Sequence, residues 1–294
     1  MGKILICGVT CVDIVNYLES FPEEDSDNRG VEQLITLGGN ATNSATVLAQ
    51  LNDYTETFMA LPTNNSLFDN LIARSGVNIS RCIHRDSPDV PVSTVIVSEQ
   101  SGTRTILHYE GNIPEPLASE FIEEFQDLDE YSLIHFEGKA GCQFNELYQI
   151  MSYICKKRCK NQLNLKISVE LEIRIPLNCA QKLVEHANIV FVSKDFAKEH
   201  GWKDAQETVD QVQRTLNAEN KLTICAWAEK ESFSGVTARS CLSAEFVHVP
   251  AYCPPKVVDT LAAGDTFIGA CLHYINSGAD LIYTLQKATK TCRT

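Results

Sequence analysis

Long hydrophobic runs are missing from this sequence: it has no stretch of about 18 consecutive apolar residues, the length that a membrane-spanning helix requires. The opening run MGKILICG is too short for a secretory signal, so we expect a cytoplasmic protein without a membrane anchor. Basic residues are also scarce, since 25 Lys and Arg stand against 38 Asp and Glu, a formal net charge of −13. This deficit argues against nucleic acid as a partner, because phosphate backbones bind basic surfaces. A small anionic ligand is not excluded, because it needs only a few local donors.

Several familiar site patterns are absent as well. The 12 cysteines are scattered between Cys7 and Cys292 with no Cys-x-x-Cys pair, and no histidines cluster at ligand spacing, so no metal site is predicted. Cys155 and Cys159 lie one helical turn apart, and we interpret them as reduced thiols rather than as a zinc or redox pair. The sequence contains neither Gly-x-x-x-x-Gly-Lys-Ser/Thr nor Gly-x-Gly-x-x-Gly, which disfavours P-loop and Rossmann dinucleotide sites.

Apolar runs alternate with helical patterns along most of the chain. The later half reads as strands at 132–138, 165–171, 189–193 and 222–228, with helices over about 143–157 and 177–185 and from about Lys194. This alternation predicts a mainly parallel sheet covered by helices. The first half reads as strands at 3–9, 12–18, 31–37, 57–61, 92–98 and 104–109, with helices at 40–51 and 66–74. The strands within about 12–37 and 92–110 break the rhythm, so we expect one α/β domain over residues 1–294 with a small antiparallel flap.

The run Asp259–Phe267, DTLAAGDTF, joins an extended segment to a helical stretch. The first N–H groups of such a helix have no partners within the helix, and with the helix dipole they form a site suited to phosphate. Ala262, Ala263 and Gly264 are small enough to let a phosphoryl group approach. Asp265 beside a phosphate would be repulsive unless it accepts a hydroxyl proton as a base. The alternative is that Asp265 only caps the helix.

A second run, Gly38–Asn43 (GGNATN), combines two glycines with two asparagines. The glycines permit close approach of the backbone to a ligand. Asn40 and Asn43 would share one helix face, and their amides both donate and accept, which suits the hydroxyls of a polyol. The alternative is a tight turn followed by an Asn cap. Asp13 follows a strand-like run and Asp25 lies in the polar segment PEEDSDN; taken alone, each reads as a surface carboxylate.

Taken together, GGNATNSA and DTLAAGDTF resemble the two hallmark motifs of the ribokinase-like sugar kinases, the phosphofructokinase-B family. Their order, their long separation and the flap strands between them match that family. Finer features are similar to its fructose-phosphorylating members: FPEEDSDNR, SGTRTILHYEGNIP, IHFEGK, SVELE, VFVSKDFAKEHG and CAWAE. The resemblance runs from about residue 3 to residue 275 and is weakest over 52–80.

The resemblance implies a three-layer ribokinase-like α/β domain with a mainly parallel sheet and a small β-sheet lid, which would pair with the lid of a second subunit in a homodimer. It also implies ATP-dependent phosphorylation of D-fructose at its 1-hydroxyl, with Mg²⁺ bridging the phosphates and K⁺ as a frequent activator in the family. The residues that would hold the sugar are Asp13, Asp25, Gly39, Asn40, Asn43 and the base Asp265. The residues that would hold the nucleotide are Arg104, Ala228, Glu229, Lys230, Glu231 and the backbone of Ala262, Ala263 and Gly264.

Three features depart from the family pattern. The place of an Asn-x-x-Glu motif tied to Mg²⁺ reads Ser193–Phe196 (SKDF), as in the fructose-phosphorylating members. Glu231 stands near the Gly that normally follows CAWAE, where its carboxylate could crowd ATP. Relatives continue beyond the final run KATKTCRT through a helix and a Gly-rich tail beside the adenine, so we expect weak ATP binding. Two alternatives stay open: a related kinase with a ribose or nucleoside acceptor, or a non-catalytic sugar- or nucleotide-binding relative with an impaired ATP site.

Overall fold

The computed structural model describes residues 2–87, 89–138, 143–227, 235–240, 246–251 and 261–292. The strands are β1 (Lys3–Cys7), β2 (Cys11–Leu18), β3 (Glu32–Gly38), β4 (Thr55–Phe58), β5 (Ala60–Pro62), β6 (Ile83–Arg85), β7 (Val92–Ser98), β8 (Thr103–Tyr109), β9 (Tyr131–Glu137), β10 (Lys166–Leu171), β11 (Ile189–Val192), β12 (Leu222–Trp227), β13 (Gly235–Arg239) and β14 (Val247–Pro250). The helices are α1 (Asn40–Gln50), α2 (Ser66–Ser75), α3 (Ala118–Glu124), α4 (Gln143–Asn161), α5 (Leu177–His186), α6 (Lys194–Glu199), α7 (Ala205–Thr215), α8 (Ala263–Asn276) and α9 (Leu281–Thr291).

The central sheet has eight strands in the order β14-β13-β12-β11-β10-β9-β1-β4. The strands from β12 to β4 in this order run parallel, and β13 and β14 continue the sheet antiparallel. Parallel strands covered on both faces are apolar throughout rather than alternating, and all four residues of β11 (IVFV) are buried. The short apolar runs of the sequence therefore form the strands of a buried sheet.

Helices cover both faces of this sheet, and successive residues of β1 show it directly. Leu5 packs with the buried apolar residues of α3–α7, whereas Ile4 and Ile6 pack with those of α1, α2, α8 and α9. This alternation follows from the two-residue period of a strand. The predicted three-layer α/β fold with a mainly parallel sheet is confirmed. Within the described ranges, no helix has both the length and the apolar character needed to cross a membrane.

A second sheet of four strands, in the order β3-β2-β7-β8, stands at the carboxyl edge of the central sheet. It is attached there because β1 ends at Cys7 and β2 begins at Cys11. β7 and β8, which lie where strands were predicted at 92–98 and 104–109, pair antiparallel, and every residue of β8 is exposed. This four-stranded sheet therefore overhangs the edge at which the parallel strands end.

Two sequence expectations differ from the structure. The single strand predicted over 57–61 is two strands, because β4 pairs with β1 and β5 pairs with β6 in a separate two-stranded sheet. The flap expected to be antiparallel is a mixed sheet, because its two central strands, β2 and β7, pair parallel. The helix expected from about Lys194 does begin there, as α6. Strands as short as β5 and β6, with three residues each, show no periodicity that a sequence pattern could reveal.

Candidate active site

Asp265 lies in the first turn of α8, at the end where the helix N–H groups are unpaired. The helix begins at Ala263, and its N-cap is Ala262, which has a φ of 55° and makes no side-chain capping bond. The carboxylate of Asp265 is used elsewhere, because its Oδ2 accepts a hydrogen bond of 2.8 Å from Nδ2 of Asn43. The structure therefore does not support the capping interpretation of Asp265.

The packing of α1 against α8 brings the two sequence motifs together, although Asn43 and Asp265 are 222 residues apart. The Ser44 hydroxyl donates to the backbone carbonyl of Asp265 at 3.1 Å. Gly269 allows this close packing, since a Cβ there would lie 2.9 Å from the Ser44 carbonyl oxygen. The helices thus hold an amide of the first motif against the carboxylate of the second.

The environment of Asp265 favours its protonated form more than water does. The pKa of this carboxyl is raised from 3.8 to about 7. Burial is the largest cause and the charges of Glu137, Glu172 and Asp13 also raise it, whereas the hydrogen bond from Asn43 lowers it. A carboxyl that titrates near neutral pH suits a group that takes up and releases a proton during a reaction. The site therefore combines a carboxyl that can accept a proton, Asp265, with the positive N-terminal end of α8.

The two glycines before α1 are required by their surroundings. Gly38 lies under the carboxylate of Asp13, where a Cβ would be 2.2–2.3 Å from the carboxyl atoms. Gly39 has a φ of 95° and is the N-cap of α1, and a Cβ there would lie 2.5 Å from the carbonyl oxygen of Val9. Asn40 is the first residue of the helix rather than its cap. The backbone of this turn therefore approaches Asp13, whose pKa burial raises above its ordinary value.

A pocket of about 150 Å³, which we call the strand-end pocket, opens between α8 and the carboxyl ends of β10 and β11. The residues that line it include Glu170, Glu172, Ser193, Lys194, Gly264 and Asp265. Gly264 is exposed in this pocket, and a Cβ on it would meet nothing within 4 Å. Burial raises the pKa of Glu170 well above its ordinary value, and Glu172 adds to this through its charge and a hydrogen bond.

A second space of about 510 Å³, the large cleft, lies where β1 and β9 end and the four-stranded sheet overhangs them. The residues that line it include Gly8, Val9, Thr10, His108, Glu110, Glu137 and Gln143. Oε2 of Glu137 accepts the backbone N–H of Val9 at 2.9 Å. A Cβ on Gly8 would lie 2.5 Å from this carboxylate and 2.7 Å from Ala41, so the cleft abuts the beginning of α1.

Sequence reasoning did not single out Glu137, Glu170 and Glu172 individually. Each lies at or just beyond the carboxyl end of a parallel strand, where ligands bind in open α/β sheets. This position could have identified them as site candidates, because the strands at 132–138 (SLIHFEG) and 165–171 (LKISVEL) were predicted from the sequence. A carboxylate at such a strand end is a site candidate even where no motif surrounds it.

The remaining predicted residues lie apart from this cluster or outside the described ranges. Asp25 is exposed between β2 and β3 with a φ of 60°, and in the described part of the chain it makes no hydrogen bond or ion pair with the other candidates. Arg104 is exposed on β8. The segment 228–231, predicted to lie along the nucleotide, falls outside the described residues; it directly follows β12, which ends at Trp227.

Comparison with known proteins identifies the family to which the chain belongs. The model of the pfkB family carbohydrate kinases matches residues 1–293. The chain belongs to the pfkB family of carbohydrate kinases. It is 34% identical to ketohexokinase of Mus musculus over 297 aligned residues, which cover 99% of this chain and 96% of that protein. As a member of this family, the chain is an ATP-dependent sugar kinase.

Solved structures show the same ribokinase-like fold. The ribokinase of Cryptococcus neoformans var. grubii serotype A in complex with ADP matches with a TM-score of 0.75 and 16% identity, covering 99% of this chain and 93% of that one. The ribokinase of Arabidopsis thaliana complexed with ribose and ATP matches with a TM-score of 0.77 and 16% identity, covering 99% of this chain and 91% of that one. The fold class predicted from the sequence is therefore confirmed at the level of the family.

Proposed function

We propose that this pfkB kinase transfers the γ-phosphoryl group of ATP to the 1-hydroxyl of D-fructose. The observation that carries the proposal is the hydrogen bond between Asn43 and Asp265. It places an amide of the GGNATN motif, which suits the hydroxyls of a polyol, beside a carboxyl at the N-terminus of α8. The likeness to mouse ketohexokinase over 99% of the chain supports the choice of fructose.

In this proposal Asp265 is the base. It accepts the proton of the sugar hydroxyl while the hydroxyl oxygen forms a bond to the γ-phosphorus and the bond to the ADP oxygen breaks. The N–H groups of Ala263 and Gly264, in the first turn of α8, would stabilise the charge on the transferred group. Arg104, on the overhanging sheet, would approach the phosphates from the other side. A pKa near 7 makes Asp265 an acceptor at neutral pH that can also release its proton.

The sugar would lie between the four-stranded sheet and the start of α1. Asp13, Asn40 and Asn43 supply acceptors and donors there, and Gly39 presents its backbone. Asp25 would complete this set only if the β2–β3 connection turns toward the sugar, which keeps its assignment a prediction. The segment 228–231 would lie along the nucleotide, beyond the end of β12.

Mg²⁺ fits the donor set of the strand-end pocket. In the parts of the chain described here, no three acidic, histidine or cysteine side chains are arranged as a metal cage. Mg²⁺ does not need one, because it is usually held by one or two carboxylates together with water and substrate phosphates. Glu170 and Glu172 would hold such a hydrated ion, which would neutralise charge on the phosphates. K⁺ activation is a further proposal, tested by comparing turnover in K⁺ and Na⁺ buffers of equal ionic strength.

The four-stranded sheet would act as a lid and as the contact between two copies of the chain. Its edge strands β3 and β8 carry large apolar side chains that are between 40% and 59% exposed: Leu34, Ile35, Ile106, Leu107 and Tyr109. Exposed apolar surface of this extent on an edge strand favours pairing with a second copy. Light scattering should give a dimer mass, and Leu107→Asp should give a monomer, whereas Ile282→Asp, at an exposed position on α9, should not. A monomeric wild-type chain would overturn the dimer proposal.

A cytoplasmic location is supported by the cysteines. The described cysteines are all free thiols, and four of them, Cys7, Cys11, Cys225 and Cys271, are buried. Reduced thiols persist in a reducing compartment. Fractionation of cells that express the tagged chain tests this location, and recovery with secreted or organellar markers would contradict it.

A coupled ADP-release assay over a panel of sugars and nucleosides tests the reaction. We expect D-fructose to give the highest kcat/KM, with ribose and nucleosides at least about tenfold lower. A preference for ribose or a nucleoside would retain the kinase and overturn the substrate. Absence of ADP release with every acceptor, in a chain that still binds sugar by calorimetry, would favour the non-catalytic alternative.

A further inference from the structure

A row of polar residues crosses the four-stranded sheet beside Asp13. The strand register pairs Asp13 with Thr36 on β3 and with Ser93 on β7, and it pairs Ser93 with His108 on β8. Directly paired residues share a face of the sheet, so these side chains stand next to one another. Oγ of Ser93 lies 3.0 Å from Nδ1 of His108. On the same face of β2, the Cys11 thiol donates to Oδ1 of Asp13 at 3.2 Å.

The chemistry of these groups sets the direction of the hydrogen bonds. Ser93 stands opposite Asp13 in the strand register, and its Oγ also lies 3.6 Å from Sγ of Cys11. An ionised Asp13 can only accept, so a hydrogen bond from Ser93 to it uses the single hydroxyl hydrogen of Ser93. Oγ of Ser93 is then the acceptor for Nδ1–H of His108. Burial raises the pKa of Asp13, whereas the bonds from Cys11 and Ser93 and the charge of His108 lower it. The row therefore stabilises the ionised carboxylate at a buried position.

The two ends of the row reach different surroundings. Asp13 is only 6% exposed and covers Gly38 at the entrance to α1. His108 is exposed and lines the large cleft together with Thr10 and Glu110. The outer end is thus open to the space in which a sugar would bind, and the inner end is protected from water.

We propose that Ser93 and His108 are positioning residues that hold the Asp13 carboxylate as an acceptor for a sugar hydroxyl. The inference rests on the proposed function, because Asp13 must contact the sugar for its orientation to matter. Ser93 limits the rotation of the carboxylate, and His108 limits the rotation of the Ser93 hydroxyl. Loss of either bond would weaken sugar binding while the transfer step at Asp265 stays intact.

Steady-state kinetics of Ser93→Ala and His108→Phe, with each substrate varied in turn, test the proposal. We expect the KM for fructose to rise about tenfold in Ser93→Ala, since a hydrogen bond to a buried carboxylate is lost. His108→Phe should raise it about fivefold, because one further bond separates His108 from the carboxylate. The kcat and the KM for ATP should stay within about twofold of wild type in both variants.

A conservative variant and two controls separate positioning from mere structure. His108→Asn keeps an amide N–H near the place of Nδ1 and should bring the fructose KM back to within about twofold of wild type. Thr94→Val removes the neighbouring hydroxyl on the opposite face of β7, and His84→Phe removes an exposed histidine on β6. Neither control should change the KM for fructose.

Asp13→Asn distinguishes failure of this inference from failure of the proposed function. If Asp13→Asn raises the fructose KM but Ser93→Ala and His108→Phe do not, the positioning roles are wrong and the sugar site stands. If Asp13→Asn also leaves the KM unchanged, Asp13 is not a sugar contact and the inference falls with that assignment. If every variant lost the same fraction of kcat and His108→Asn restored nothing, these residues would only stabilise the sheet and the positioning roles would be wrong. Calorimetric affinity for fructose gives the same ranking in any variant with low turnover.

Discussion

Substitution of Asp265 by Asn separates the proposed catalytic role of this carboxyl from its cost to stability. Asn has nearly the same shape, and its side-chain oxygen can still accept the hydrogen bond that Asn43 donates to Oδ2 at 2.8 Å. The change removes the proton acceptor and leaves the helix terminus in place. We therefore expect kcat to fall at least about 100-fold while fructose still binds.

The effect on stability follows from the pKa of Asp265. Folding raises it from 3.8 to about 7, chiefly by burial, so the folded state retains a proton that the unfolded chain has released. Stability therefore falls as pH rises through this window. The linkage relation gives a loss from Asp265 on the order of 1–2 kcal/mol at pH 5 and about 4 kcal/mol at pH 8, relative to a group that stays neutral.

The Asp265→Asn variant does not titrate, so it should escape this loss. Urea unfolding should therefore show the stability of this variant relative to wild type rising by about 2–3 kcal/mol between pH 5 and pH 8. Glu123→Gln, at an exposed carboxyl on α3, is the matched control and should change neither turnover nor the pH dependence. Near-normal turnover in Asp265→Asn would refute the role of base. An unchanged pH dependence of stability would refute the raised pKa.

Other substitutions test other parts of the site and fold. Asn43→Ala should raise the fructose KM about tenfold and the ATP KM much less. A larger change in the ATP KM would mean that Asn43 lies beside the nucleotide rather than the sugar. Gly38→Ala would put a Cβ 2.2–2.3 Å from the carboxyl of Asp13, so fructose affinity measured by calorimetry should fall about tenfold or more; unchanged affinity would remove Asp13 from the sugar site. In Gly264→Ala the added Cβ would meet nothing within 4 Å, so the wild-type Tm should be kept. The ATP KM should rise, because the Cβ would occupy space that the phosphates are proposed to use. An unchanged ATP KM would place the phosphates elsewhere. Glu56→Gln removes the buried carboxylate that pairs with Lys3 and Arg81 and accepts a hydrogen bond from Tyr131. It should lower the free energy of unfolding in urea by about 3 kcal/mol and leave kcat unchanged. No loss of stability would show that these ion pairs contribute little.

The parallel core and the two motifs could be predicted from the sequence because their signals are local. A strand such as Ile189–Val192 is buried on both faces and reads as an uninterrupted apolar run. The turn at Gly38 and Gly39 and the small residues before Asp265 each occupy a few consecutive positions. The meeting of Asn43 with Asp265 was expected only through the family resemblance, because no local pattern links residues 222 positions apart.

Features that depend on the register between distant strands could not be predicted. The row from Asp13 through Ser93 to His108 exists because β2 pairs with β7 and β7 pairs with β8 at one particular alignment. A shift of one residue would turn these side chains to opposite faces, and the composition of the strands does not specify the alignment. Glu137 was overlooked for a similar reason, since a single carboxylate at a strand end gains meaning only when the neighbouring strand ends are placed beside it.

The position of the transferred phosphoryl group tests the central claim most directly. Phosphorus NMR of the product formed from D-fructose and ATP reports which hydroxyl receives the phosphoryl group, and we propose that this hydroxyl is held beside Asn43 and Asp265. We predict fructose 1-phosphate as the sole sugar phosphate, formed in step with ADP and lost in Asp265→Asn. A 6-phosphate, or inorganic phosphate released without any sugar phosphate, would contradict the proposed reaction.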